Sequence, residues 1–444
     1  MANAAPTGVT TFVSFDRRVR ATTYHQRPDR YRHLEAPLGS VPRIARGGGY
    51  GYAAASFGPG IVVQEMTAFS RILAFDEATR QVVVEAGIRI GDLLQWASSR
   101  GLCLDVVPGY PGVTVGGCIA GDVHGKNAGR AGTFRECTQS IRLYRPDVSF
   151  ITVSRLEGGD VFEATCGGFG LTGLIVSAVL QLVPLPARQL TTTRVAVESL
   201  EQAAHVLLES RASFAYSWHP GVAAKTVEGG AGLVFESEWD ASVPAAPPAR
   251  KPRRSYDRRP FGSSPVGLWN AFTLPLASKV FGFIEGQRQG TVSIFDNWFP
   301  ARGHEMYYRF FGASGFGEMQ LLVPAESIAR FISAFRRVVA AKRPTIAFLS
   351  LKAFRGEARS LGLSGAGLLF AVDYVASADC AGFESDMDAL LLDTGSQPNI
   401  SKDSRIDRLV AERSLPGLDR FREVLLAIDP QRRYQSALSR RLAL

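Results

Sequence analysis

GVTVGGCIAGDVHGKN occupies residues 112–127. Glycines and other small residues leave the backbone almost bare, and then His124 and Lys126 arrive together. Backbone so uncovered can come close to something bulky. Two other stretches share the character, RGGGYG at 46–51 and GGFGLTG at 167–173.

Neither common phosphate-binding motif is present. GGGYGYAAAS runs through FGPG into apolar IVV rather than into a helix, and no acid is suitably placed for a ribose, so the βαβ dinucleotide fingerprint fails. The pattern GxxxxGK[ST] is absent. Three loops acting together instead suit a long pyrophosphate cofactor with a large flat ring. Its phosphates would lie against backbone N–H groups, with Thr114 and the amides around Gly116 and Gly117 as donors. FAD has that shape. The competing reading is that the glycines only make turns.

Working outward, TTFVSF is expected to be a short strand, followed by a polar, arginine-rich run to residue 40. RILAFDEATRQVVVEAG predicts a strand pair turning at Asp76 to Thr79. A helix follows over 90–101, stopped by Gly101. LCLDVV is expected as a strand, and the opening stretch as a strand-like segment leading to His124. ECTQSIRLYRPDVSFITVS predicts a hairpin turning at Arg145–Val148, and LTGLIVSAVLQLVPLP a long buried strand after a short helix. Beyond 190 an amphipathic helix spans 199–211. YSWHPGV, AGLVFESEW, TVSIFD, GEMQLLVP, TIAFLSLKAFRG and GAGLLFAVDYVA read as strands. Helices are expected over 325–341, where Ala325, Ile328, Phe331, Ile332 and Phe335 recur at helical spacing, and over DMDALLLDTG. The expected class is α+β, with no regular βαβ series. Its parts are residues 1–195 as a cofactor domain, 196–399 as a substrate (cap) domain on an antiparallel sheet with flanking helices, and 400–444 as a C-terminal segment returning to the cofactor domain.

Of 444 residues, 46% are hydrophobic and 20% charged, an ordinary balance for a globular chain. The most apolar run, 171–186, is interrupted by Gln181 and two prolines and is too short to span a bilayer. MANAAPTGVTTF lacks the basic start and apolar run of a secretory leader. Five cysteines without a Cys-x-x-Cys pair, and six scattered histidines, argue for buried reduced thiols in the cytoplasm and against zinc. His25, His33, His205, His219 and His304 show no constellation. The net charge is +9, with six basic residues and one acid in RKPRRSYDRR at 250–259. That run is either a solvated loop or a contact for acidic lipid or a lipid-linked phosphate. With the tail RRYQSALSRRLAL it offers a positive surface that could hold the protein peripherally at the inner face of a membrane. No aromatic-basic platform accompanies it, so nucleic acid is not expected.

ARGGGYGYAAAS, VVVEAGIRIGDLLQWASSRGLCLDVVPG, TVGGCIAGDVHGKN, AGTF and CGGFGLTGLI together resemble the vanillyl-alcohol-oxidase-like, PCMH-type FAD-binding oxidoreductases. GFGEMQLLVPAE, AFLSLKAF, LLFAVDY, SKDSRID and IDPQRRYQSALSRRLAL extend the likeness over nearly the whole chain, toward the branch that oxidises the ribose 2'-hydroxyl of polyprenylphosphoryl ribose in cell-wall arabinan precursor synthesis. The resemblance implies a two-part FAD domain and a partner reductase that completes an epimerisation. It places Arg46, Gly47, Gly49, Gly51 and Tyr52 along the pyrophosphate. Pro108, Gly109, Thr114, Val115, Gly116, Gly117 and Cys118 follow. Asp122, His124, Gly125, Asn127, Gly129 and Thr133 continue around the flavin, and Gly168, Gly170, Thr172, Gly173 and Ile175 complete the cradle. No histidine stands in the first loop, so non-covalent FAD is expected.

The resemblance also implicates His124, Lys126, Gln320, Lys352 and Lys402 on the substrate side. Hydride removal from a carbinol needs the hydroxyl proton accepted or its oxygen stabilised. Lys402 is expected to contact the hydroxyl as base, with His124 orienting or relaying, Gln320 bonding the sugar, and Lys352 and Lys126 meeting anionic charge. Converging lysines lower one another's pKa, so one is expected to be neutral near pH 8. Asp373 is expected to fix a lysine or arginine, Arg405 being a candidate. The chain departs from the branch at Asn399, where a tyrosine is usual, at Ala371, where a cysteine is usual, and at Leu369, where an asparagine is usual. Tyr50-Gly51 also replaces an Arg-Ser pair. A different sugar, alditol or nucleoside therefore stands as an alternative substrate, and a non-enzymatic flavin or sugar-phosphate binder as a weaker one.

Overall fold

The computed structural model describes residues 8–223, 230–242, 264–270, 272–287, 290–302 and 305–444. The basic run 250–259 and His304 lie outside them.

Two sheets form the N-terminal part. Gly8–Val13, Arg20–Gln26, Val62–Glu65 and Arg43–Arg46 lie side by side in that order, the first pair antiparallel and the rest parallel. The strand Arg20–Gln26 lies inside the run read from sequence as polar. It alternates exposed and buried positions, so Arg20, Thr22 and Tyr24 face solvent while Ala21 and Thr23 pack inward. The second sheet is antiparallel, ordered Ile72–Asp76, Gln81–Glu85, Leu174–Gln181, Thr138–Arg145 and Ser149–Ser154. The hairpins turn where expected; Asp76 accepts the Ala78 and Thr79 N–H groups at 2.9 and 3.3 Å.

Three local readings change. LCLDVV keeps only Leu102–Cys103 as strand, paired to Val183–Pro184. The chain then leaves the ladder to bury Val106 and Val107 in the core. TVSIFD splits into strand Gly290–Ser293 and helix Ile294–Trp298, because the Ser293 hydroxyl caps the Asp296 N–H. The opening stretch forms helix Val115–Ala120 rather than a strand, with Thr114 as its N-cap.

An eight-stranded antiparallel sheet dominates the rest. Its order is Gly290–Ser293, Gln189–Val197, Gly232–Trp239, Phe214–Ala223, Thr345–Glu357, Ser364–Val375, Phe316–Pro324 and Gln397–Pro398. Helices Leu200–Glu209, Ile328–Lys342 and Ala381–Asp393 cover one face. Side chains alternate across a strand. Met319, Leu321, Val323, Leu349, Leu351, Leu368, Phe370, Val372 and Tyr374 therefore enter that helical core. Glu318, Gln320, Ser350, Lys352, Ala371 and Asp373 are turned to the opposite face.

The last residues pack back on the N-terminal part. Leu418, Phe421, Leu438 and Leu442 share a buried cluster with Phe12, Ile44, Ala53 and Phe57. The Tyr434 hydroxyl donates to the Tyr144 carbonyl at 2.9 Å. All five cysteines are buried free thiols. Among the described residues no helix is long and apolar enough to cross a membrane, and no group of side chains is placed to hold a metal.

Candidate functional site

Between the open face of the large sheet and the glycine loops lies a cavity of about 1310 Å³. That exceeds the several hundred Å³ usual for one small ligand and leaves room for a dinucleotide with a substrate beside it.

The glycine wall begins at the end of strand Arg43–Arg46. A side chain at Gly47 would put its Cβ 2.2 Å from Thr114 Oγ1, and Gly49 sits at φ +80°, so bare backbone is required at both positions. Among the described residues the N–H groups of Gly48 and Gly49 find no acceptor. Beside them Arg46 reaches Ser56 at 2.8 Å and covers the Phe12 and Phe57 rings, with no carboxylate in ion-pair range among the described residues. Burial pulls its pKa down to about 10. A buried guanidinium that meets no carboxylate at ion-pair distance among the described residues, next to open amides, is chemistry that takes a phosphate.

The expectation for Gly116 and Gly117 changes. The Gly116 N–H donates to the Ala86 carbonyl at 2.7 Å, and the Gly117 N–H to Thr114 Oγ1 at 3.2 Å. Both amides are consumed in seating the helix start, so they present surface rather than donors.

Of the expected cradle residues, eight stand behind the wall. Val115 is core, and its N–H holds the Ile88 carbonyl. Asp122 accepts the Arg135 N–H, and burial raises its pKa to about 6. Asn127 donates to the Asp105 carbonyl, Thr133 bridges to His124, and Thr172 pairs with Thr165. Gly125, Gly129 and Gly168 pack against Val107, Ala353 and Ala164. The others, Arg46, Gly47, Gly49, Gly51, Tyr52, Pro108, Gly109, Thr114, Gly116, Gly117, Cys118, His124, Gly170, Gly173 and Ile175, line the cavity.

The polar wall brings His124, Lys126, Gln320, Lys352 and Lys402 to the same cavity. Strand register places Gln320 opposite Ala371, and Glu318 opposite Asp373. Lys402 Nζ lies 3.4 Å from Glu318 Oε1 and 4.2 Å from the centre of the Tyr52 ring. Asp373 accepts the Tyr307 hydroxyl at 2.8 Å, not a cation; burial, and then Glu318, hold its pKa well above the carboxylate range. Arg405 turns away to Asp388 and Asp403. Burial, then Lys402, lowers Lys352 to about 8. Burial, then Lys352, lowers Lys126 to about 7 and His124 to about 4, so the imidazole is neutral.

Asn399 organises this wall. Its Oδ1 accepts the Ser401 N–H and hydroxyl at 3.1 and 2.6 Å, which fixes its Nδ2 as the donor to Gln320 Oε1 at 2.7 Å. His124 Nε2 lies 2.9 Å from the same oxygen and Nδ1 3.2 Å from the Gly125 carbonyl; the neutral ring has one N–H, and the shorter contact assigns it to Nε2. Among the described residues the Gln320 amide NH₂ meets no acceptor, and it lines the cavity where a ligand oxygen could reach it. Ala371 lines the cavity, whereas Leu369 sits in a small core with Ala128, Leu322 and Phe354. Sequence reasoning missed Glu318, Tyr307, Tyr308 and Trp218.

Comparison with known proteins now has a geometry to meet. Residues 36–154 match the family described as FAD binding domain. The chain carries a PCMH-type FAD-binding domain. It is homologous over most of its length to decaprenylphosphoryl-beta-D-ribose oxidase of Mycolicibacterium smegmatis, 28% identical over 414 residues, covering 90% of this chain and 89% of that one. An uncharacterized protein in the mprA 5' region of Streptomyces coelicolor is 29% identical over 78% of this chain and 96% of its own. L-gulonolactone oxidase of Mus musculus is 32% identical over 31% of each chain. The protein is an FAD-dependent oxidoreductase. The first glycine loop, Arg46 to Ser56, contains no histidine to which a flavin could be joined, which is consistent with non-covalent FAD.

Proposed function

We propose that this FAD-dependent oxidoreductase oxidises a secondary hydroxyl of a lipid-phosphate-linked sugar, the ribose 2'-hydroxyl of a polyprenylphosphoryl ribose. The observation that carries the reading is the row Glu318, Gln320, Lys352 and Asp373 on one cavity wall. Beside it lie Trp218, Phe235, Trp269, Leu274 and Phe310. The first group suits hydroxyls and phosphate, the second an apolar tail. The M. smegmatis relative is named for such a substrate.

FAD, when bound, would supply the two-electron acceptor needed to oxidise the carbinol carbon. Arg46 and the Gly48 and Gly49 amides would hold its pyrophosphate. The Gln320 NH₂ bonds a sugar oxygen. Lys402 contacts the reacting hydroxyl: it passes its own proton to Glu318 and takes the hydroxyl proton, so the pair gains one proton. His124, neutral, orients Gln320. Lys352 and Lys126 face the phosphate. A keto-sugar product of this kind calls for a partner reductase. The protein works at the inner face of a membrane.

Asn399 and Ala371, which replace the tyrosine and cysteine usual in the branch, favour a second reading in which a related sugar or alditol is the substrate. Anaerobic addition of each candidate to the yellow protein separates them. Bleaching of the flavin band by polyprenylphosphoryl ribose, and not by free sugars or alditols, is expected; the reverse selects the second reading.

A further inference from the structure

The helix Thr273–Gln287 is apolar on two sides. Leu274 is buried and, with Ala277, lines the cavity. Leu276 and Val280, four residues apart and so on one side of the helix, stand 67 and 51% exposed, and Phe272, just before its first turn, 89%. Val266, Leu268 and Met306 are exposed too, and Met306 also lines the cavity. Single exposed apolar residues are ordinary, but a group of this size beside a cavity marks an interaction surface.

The charge pattern selects the partner. From Arg258 to Ile284 the sequence contains no carboxylate, and six basic residues lie within 250–259 just ahead of the apolar segment. Lys279 is exposed on the helix itself. A protein partner would ordinarily meet a mixed rim of both signs. An apolar face that carries Lys279, in a stretch of sequence rich in bases and free of acids, suits the interface of an anionic bilayer, where apolar side chains enter the acyl boundary and cations meet the headgroups.

We infer that residues 272–280 dock this protein onto an anionic lipid bilayer through Phe272, Leu276 and Val280, with the cavity lined by Leu274, Ala277 and Met306 alongside the membrane. The surface gives a lipid-linked substrate a way in that avoids water. It stands apart from the choice of sugar, because docking is measured without substrate.

The test is co-sedimentation of full-length, FAD-loaded protein with vesicles of phosphatidylglycerol and phosphatidylcholine, and with vesicles of phosphatidylcholine alone. Binding to the first, weakened by salt, is expected, with at least about a tenfold lower partition for F272S/L276S/V280S. These side chains are exposed and outside the cavity, so flavin content and circular dichroism are expected to stay unchanged. In F272W the new indole is expected to shift its emission to the blue on anionic vesicles. Equal binding of the triple variant, or no binding by the parent protein, overturns the proposal. So does a dimer that the triple variant loses while vesicle binding stays absent, since the face would then belong to a second copy of the chain.

Discussion

Gln320 Oε1 accepts from both Asn399 and His124, and that shared acceptor sets how the polar wall faces its ligand. Asn399→Leu removes the fixed donor and lets the amide turn. The expected result is a KM-led fall in kcat/KM of about tenfold, the loss of roughly one hydrogen bond, with the flavin spectrum unchanged. A spectrum that changes with no kinetic effect would place Asn399 against the cofactor instead. Charge at Lys126 and Lys352 is present below about pH 7 and 8 and is lost above. KM for a phosphate-bearing substrate is therefore expected to rise from neutral pH to about pH 9, while KM for a neutral sugar stays flat. Parallel profiles for the two would remove the lysines from phosphate binding. At this scale His124, Gln320, Lys352 and Lys402 were legible because they lie in stretches that resemble a family. Glu318 was not, since in GEMQLLVP both faces are buried and the alternation that exposes it to the cavity is masked.

Helix Val115–Ala120 shows how an element can be misread from composition. Its glycines suggest extended backbone, yet Thr114 caps the first turn and Gly116 closes onto Ala86, which makes a short helix affordable against the Gln81–Glu85 strand and the turn that follows it. Thr114→Val is expected to cost about 1 kcal/mol in urea denaturation and to lower flavin content on purification. Gly47→Ala brings a methyl to 2.2 Å of Thr114 Oγ1, so purified protein is expected to lose most of its FAD while a double variant with Thr114→Gly regains part of it. No recovery in the double variant would mean that the glycine is needed for another reason. Most strands and the helices Leu200–Glu209, Ile328–Lys342 and Ala381–Asp393 were readable, because period two and period 3.6 separate cleanly in them; the equally long Thr273–Gln287 was not. Boundaries failed where a single cap, such as Ser293, ended a strand sooner than its apolar run suggests.

On the scale of the molecule, the cavity exists because two folded parts meet, and the C-terminal residues tie them. Leu438 and Leu442 fill a cluster with Ala53 and Phe57 directly behind the first glycine loop. Leu438→Ala is expected to cost about 2–5 kcal/mol by denaturation and to weaken FAD retention, since that loop rests on the cluster. The α+β class and the antiparallel second sheet follow from strand and helix order in the sequence. The joining of the last residues to the first was legible only through resemblance, because no periodicity records which surfaces meet. The most direct measurement of the whole account is the visible spectrum of purified protein before and after anaerobic polyprenylphosphoryl ribose, for the parent and Lys402→Met. Bound flavin in both, bleached by substrate in the parent and left oxidised in the variant, is the predicted result. Protein that carries no flavin and takes up none when FAD is supplied, or a variant bleached as fast as the parent, would contradict it.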